Sequence, residues 1–168
     1  MSLSVFCRRV LAAALACVAL AAAPGLAPAL AQPITHAQPQ LRLESLDIVT
    51  QRGVFHFKVE MAITSRSQEI GLMFRPALPP DRGMLFEQYR VPREAAYWMK
   101  NCPVPLDMLF IRADGTILSI ARNTTPYSEQ PIYSGGPVTG VLELRGGRAA
   151  EIGAQPGDQV QHPFFRHG

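Results

Sequence analysis

Between Val54 and Ile63 the chain reads VFHFKVEMAI, and its apolar and polar positions alternate strictly. Phe55, Phe57, Val59, Met61 and Ile63 share one side; His56, Lys58 and Glu60 share the other. A period of two marks a half-buried strand, so the first set is expected in the core and the second in water. The preceding LRLESLDIVT suggests a partner strand, joined through a tight connection at Gln51-Arg52-Gly53. In TSRSQEIGLMF the rhythm changes. Ile70, Met73 and Phe74 fall at helical spacing, Ser65 followed by Gln68 resembles a capping box, and Pro76 halts a helix of about two turns.

Short apolar runs follow: GMLFE, AAYWMK, DMLFIR, TILSIAR, VTGVLELR and DQVQHP. Asp114-Gly115 lies between two of them and is a strong hairpin signal. Pro103 and Pro105 remove two backbone donors, so NCPVP cannot continue a central strand and reads as a rigid corner. GGRAAEIGAQPGD holds a short helical turn. There is no alternating strand–helix rhythm, and no glycine fingerprint of a dinucleotide or phosphate loop. The pattern predicts a mainly β fold, a compact antiparallel β-barrel or β-sandwich with one or two short helices, formed by residues 41–168 as a single domain.

The first residues follow another logic. Arg8 and Arg9 precede the apolar stretch LAAALACVALAAA, and Ala29-Leu30-Ala31 is a small-x-small site. Residues 1–31 therefore read as a signal peptide, too short in its apolar part to span a bilayer, and residues 32–40 as a flexible polar leader. The mature chain is expected to be periplasmic or secreted, with no membrane anchor. Loss of Arg8 and Arg9 lowers Lys plus Arg from 16 to 14 against 13 acids, and the remaining arginines are scattered. That is not the concentrated basic stripe that nucleic acid requires. Cys7 and Cys17 leave with the signal, so Cys102 remains alone, without a disulfide partner or a thiolate cluster.

Five segments occur in a telling order: GLMFR (71–75), DRGMLF (81–86), YWMKNCPVPLDMLFI (97–111), PVTGVLEL (137–144) and PGDQV (156–160). In this the chain resembles the bacterial and archaeal proteins of "domain of unknown function 192", over roughly residues 41 to 162. The resemblance implies a small β-sandwich or barrel domain, often exported, for which no activity is established. The family usually carries Thr at the position of Cys102 and Ile at that of Val104, which implies that a thiolate is not its chemistry.

For Cys102 to act as a nucleophile it would need a nearby base or a positive setting. Lys100 shares its strand face, but of the four histidines His36, His162 and His167 lie in or near the ends, and His56 lies on the polar side of its strand. A buried, inert thiol is the simpler reading. No HxH, HxxxH or paired-carboxylate cluster offers a metal site, and no cofactor is expected. The set Arg75, Trp98, Lys100, Asn101 and Asp107 is richer. Lys100 and Arg75 would hold an anion, Asn101 would orient it, Trp98 would supply a stacking wall and Asp107 a base. Structurally, Asp107 would instead pair with Lys100 or Arg75 and accept backbone N–H groups at the corner. The expectation is an exported module that binds a small polar or anionic ligand, such as a sugar or peptide end, or is purely structural; the alternative is a hydrolase or lyase with an Asp107/Lys100 acid–base pair.

Overall fold

A computed structural model describes residues 33–88 and 90–167; the signal peptide read at 1–31 lies outside the described residues. Among the described residues nine strands run in chain order: β1 (Leu43–Thr50), β2 (Gly53–Ala62), β3 (Arg82–Glu87), β4 (Arg93–Tyr97), β5 (Leu106–Ile111), β6 (Ile117–Ala121), β7 (Ile132–Val138), β8 (Gly140–Arg145) and β9 (Gln159–Gln161). Two short helices, α1 (Ser65–Ile70) and α2 (Arg148–Glu151), and a closing 3-10 turn (Pro163–His167) complete the fold. Seven strands form one sheet in the order β6-β5-β8-β3-β2-β1-β9, and β4 pairs with β7 in a second. The two ends of the large sheet meet: Thr116 bridges Gln159, Ile117 N–H donates to Asp158 O and Val160 N–H to Gly115 O. The result is a nearly closed β-barrel.

Most pairings are antiparallel, as expected, but β2 and β3 run parallel. A parallel pair needs a crossover, and α1 with the loop 71–81 supplies it. The capping box of α1 falls one residue earlier than the pattern suggests. Thr64 Oγ1 accepts from Ser67 N–H at 3.0 Å, and Ser67 Oγ accepts from Thr64 N–H at 3.0 Å. Gln68 is thereby free for another task, donating to Ala62 O and Glu87 O at 3.0 and 2.8 Å and fastening α1 to the ends of β2 and β3. The helix stops at Gly71, whose φ of 50° ends it well before Pro76. β7 was not expected as a strand. Its sequence IYSGGPV has the composition of a loop, and only pairing with β4 makes it extended.

Side chains alternate between two cores. Leu46, Ile48, Phe57, Val59, Met61, Leu85, Leu109, Leu142 and Leu144 fill the barrel. Met84, Phe86, Leu106, Met108, Phe110 and Val141 point the other way, into a second core shared with Leu72, Met73, Ala95, Met99 and Val138. With both faces covered, every residue of β5 is buried and β8 is buried from Gly140 to Leu144, which accounts for their nearly unbroken apolar sequences.

On β2 the sequence pattern holds for Phe57, Val59 and Met61 but fails at two places. Ile63 is exposed, because the strand ends at Ala62. Glu60, expected in water, is buried. Arg75 reaches it with two bonds, Nη1 to Oε1 at 2.5 Å and Nη2 to Oε2 at 2.8 Å, and Leu41 N–H adds a third. The segment 33–40, expected to be flexible, has no regular structure, yet Gln38 Nε2 donates to Ser67 O and Gly71 O.

Candidate functional site

The corner NCPVP links the second sheet to β5. Lys100 and Asn101 form a tight turn in which Cys102 N–H returns to Met99 O at 3.0 Å. Asn101 has φ 55°, a left-handed conformation that Asn tolerates better than most residues. Opposite it, Phe74 has φ 62°, which is strained for an aromatic residue. The two are clasped: Phe74 N–H donates to Asn101 O at 2.7 Å. This clasp holds the loop after α1 against the turn after β4, and such stored strain concentrates at functional sites.

A pocket opens beside the clasp. Gly71 and Met73 line it from one side, Trp98, Lys100 and Cys102 from the other, with Phe86, Tyr97 and Glu69 also in the wall and Glu143 of β8 among its lining residues. It leaves about 50 Å³ open to water centres, room for a few waters or one small chemical group. Phe86 and Tyr97 meet edge to face at 5.3 Å. A side chain at Gly71 would be strained, since its φ is 50° and a Cβ there would lie 3.2 Å from the Phe86 ring. Trp98 is 45% exposed, and Lys100 Nζ sits 5.0 Å from its ring centroid.

Glu143 is the distinctive group of this pocket. Strand alternation sends it to the outer core, where it is paired across the ladders with the buried Met84 and Met108. It is only 4% exposed, and its carboxyl has no hydrogen-bond or ion-pair partner among the described residues. Burial pushes its pKa up to about 8, so at neutral pH the group is mostly protonated. Cys102 is 6% exposed, and burial followed by the charge of Glu143 pushes its thiol up to about 12. The thiol is buried, as the sequence suggests, and burial holds it in the neutral form at neutral pH.

The five residues expected to form one site occupy different places. Trp98 and Lys100 line the pocket. Asn101 builds its edge, with the side-chain nitrogen 3.8 Å from Met73 Sδ. Arg75 is paired with Glu60 and lines a separate depression with Lys58 and Arg82. Asp107 is fully buried at the opposite side of the sheet, beside α2. Its carboxylate accepts from Asn123 N–H at 2.6 Å, Gly147 N–H at 3.1 Å and Ala149 N–H at 2.7 Å. It binds backbone, as the structural reading holds, but not the corner that precedes it, and it faces neither Lys100 nor Arg75. Lys100 lies 3.9 Å from Glu129. The Asp107/Lys100 acid–base pair is therefore not assembled.

Sequence reasoning missed Glu143. The available signal was a single acid inside the apolar run VLEL, in a strand otherwise written for burial on both faces. Among the described residues, no three His, Cys, Asp or Glu side chains converge as metal ligands would, and no helix is long and apolar enough to cross a membrane.

The family model of domain of unknown function 192 (DUF192), described as an uncharacterized ACR, matches residues 47–162. Two solved structures share the fold. A proposed transcription regulator from Sinorhizobium meliloti 1021 is 40% identical, with a TM-score of 0.70, over 74% of this chain and 97% of that one. A protein of unknown function from Novosphingobium aromaticivorans DSM 12444 is 39% identical, with a TM-score of 0.71, over 79% of this chain and 94% of that one. None of the curated proteins matches the chain significantly.

Proposed function

Because the chain belongs to the uncharacterised DUF192 family, its function must be read from its own site, and we propose that it is a small-ligand binding module whose pocket is floored by Glu143. One observation carries this reading: a buried carboxyl with no partner among the described residues faces an opening beside Trp98 and Lys100. Folds rarely leave a buried polar group unbonded without a reason, because desolvation costs about 1–3 kcal/mol or more. A purely structural acid would be bonded as Asp107 is. The ligand is small and polar. Both cations once considered for an anion are already matched, Arg75 by Glu60 and Lys100 by Glu129, which weighs against an anionic ligand.

The Sinorhizobium relative's name raises the question of DNA. Charge weighs against it here. Arg42, Arg66, Arg75, Arg145 and Arg148 are each engaged by a glutamate, so they do not form a free basic face for phosphates.

Binding is tested by titrating the protein with a panel of sugars, carboxylates, amines and dipeptides while following Trp98 emission. At least one saturable response, lost in Glu143→Gln, is expected; silence to the whole panel refutes the reading.

Export belongs to the same proposal: residues 1–31 direct the chain out of the cytoplasm, and the mature protein is released soluble. The charged start, apolar stretch and Ala29-Leu30-Ala31 site support it. Intact-mass measurement of exported protein should find an N-terminus at Gln32. A mass retaining residues 1–31, or a lipid on Cys17, contradicts release.

A further inference from the structure

We infer that the Glu143 pocket takes a primary ammonium group carried on an apolar stem, with Glu143 as its buried counter-ion and Trp98 as the wall along which the stem lies. The inference rests on the binding reading above and names the ligand's chemistry.

Size comes first. About 50 Å³ open to water centres admits a head group and not a sugar ring, so the ligand enters by its tip. Charge comes next. Around the pocket, Glu69 of α1 is paired with Arg66, and Lys100 has Glu129 and the face of Trp98. The Tyr97 hydroxyl receives a bond from Gln88 Nε2 at 2.7 Å, the Cys102 thiol is neutral, and Met84 and Met108 on the flanking strands carry no charge. Among the described residues that line the pocket, Glu143 is the charged group left without a partner. Towards the ionised carboxyl an ammonium offers a full charge and three donors, whereas an alcohol brings one donor and no charge; a carboxylate could only share the proton of the neutral acid and meets like charge once that proton is lost. The walls suit the rest of such a ligand. Met73, Phe86, Tyr97 and Trp98 are apolar or aromatic, a lining that suits an apolar stem.

Binding moves a proton. In the empty pocket Glu143 is mostly protonated at neutral pH, with a pKa of about 8. An ammonium pairs with the ionised form, so the carboxyl proton goes to solvent as the ion pair forms. The competent fraction then rises about 50-fold between pH 6 and pH 8. Above about pH 10 the amine itself loses its proton and affinity falls.

Trp98 is the one tryptophan of the chain, so its emission reports on the pocket directly. The protein is titrated with n-butylammonium, n-butanol and butyrate at pH 6 and pH 8, as wild type and as Glu143→Gln. The expected result is a saturable response to n-butylammonium, about 50-fold tighter at pH 8 than at pH 6, absent with the other two probes and lost in the variant. Should Glu143→Gln not fold, the wild-type pH ratio decides alone. Equal affinity at the two pH values, or an equal response to butanol or butyrate, overturns the ammonium assignment and leaves the binding module standing. Silence to all three probes, with a response elsewhere in the wider panel, does the same. Silence to every ligand removes both.

Discussion

Asp107 and Glu143 lie on the neighbouring strands β5 and β8 with their side chains on opposite faces of the sheet; three backbone N–H groups hold the first, and no described residue bonds the second. Both acids are buried, so burial alone does not separate structure from function. Their partners do. Asp107 fastens the loop at Asn123 and the start of α2 to the barrel, whereas Glu143 carries a desolvation cost that no bond from a described residue offsets.

Glu143 makes stability depend on pH in a direction unusual for an acid. Its pKa is raised in the folded state, so its contribution is most favourable below the unfolded value near 4.3 and is lost as pH rises towards about 8. The loss is on the order of 5 kcal/mol. Urea midpoints of the wild type should fall from pH 5 to pH 8 more steeply than those of Glu143→Gln, which has no proton to lose. Parallel curves for the two proteins would sink this assignment.

Asp107→Asn should cost about 3 kcal/mol. Its oxygens accept on both sides, and whichever side becomes an amide points donors at a backbone N–H. The variant should melt early, while any ligand response of Trp98 persists at temperatures where it is folded. Full stability with lost binding would instead make Asp107 part of the site.

Arg75→Ala leaves Glu60 buried without its two guanidinium bonds, and about 3–5 kcal/mol of stability should go with them. Replacing both residues, as Arg75→Met with Glu60→Leu, removes the stranded charge and should recover most of that loss. If the double variant is no more stable than the single one by chemical denaturation, the pair does not act as a unit.

Cys102 should react with a thiol reagent at pH 8 far more slowly than a free model thiol. With its pKa pushed up to about 12, the rate should climb about tenfold per pH unit while the fold survives. Cys102→Thr should be close to neutral in thermal melts, and rapid labelling at pH 7 would reopen the case for a nucleophile.

Much of the fold was legible because local chemistry decides it. Asp114-Gly115 turns the chain with Thr116 N–H bonded to Asp114 Oδ1 at 2.9 Å, and Gly115 adopts the φ of 84° that such a turn demands. Pro103 and Pro105 keep the corner out of any strand, and β5 starts at Leu106, directly after Pro105. Alternation sent Phe57, Val59 and Met61 inward. Trp98 and Lys100 were also singled out from the sequence, and both line the pocket.

What the sequence determined by itself, then, was the β class, the Asp114-Gly115 turn and the facing of Phe57, Val59 and Met61 on β2, since these depend on neighbours within a few residues. What it left to tertiary structure was what covers each face. The β4–β7 pair and the loop after α1 lie over the outer side of the barrel sheet, so a residue on that side is not automatically in water. Only that cover buries Glu143 between Met84 and Met108. Likewise only the path of the loop brings Arg75 to Glu60, 15 residues away, and only the return of α2 to β5 gives Asp107 its bonds, up to 42 residues distant. A period of two states which way a side chain points; whether it meets solvent, a partner or an empty pocket is decided by chain that arrives from elsewhere.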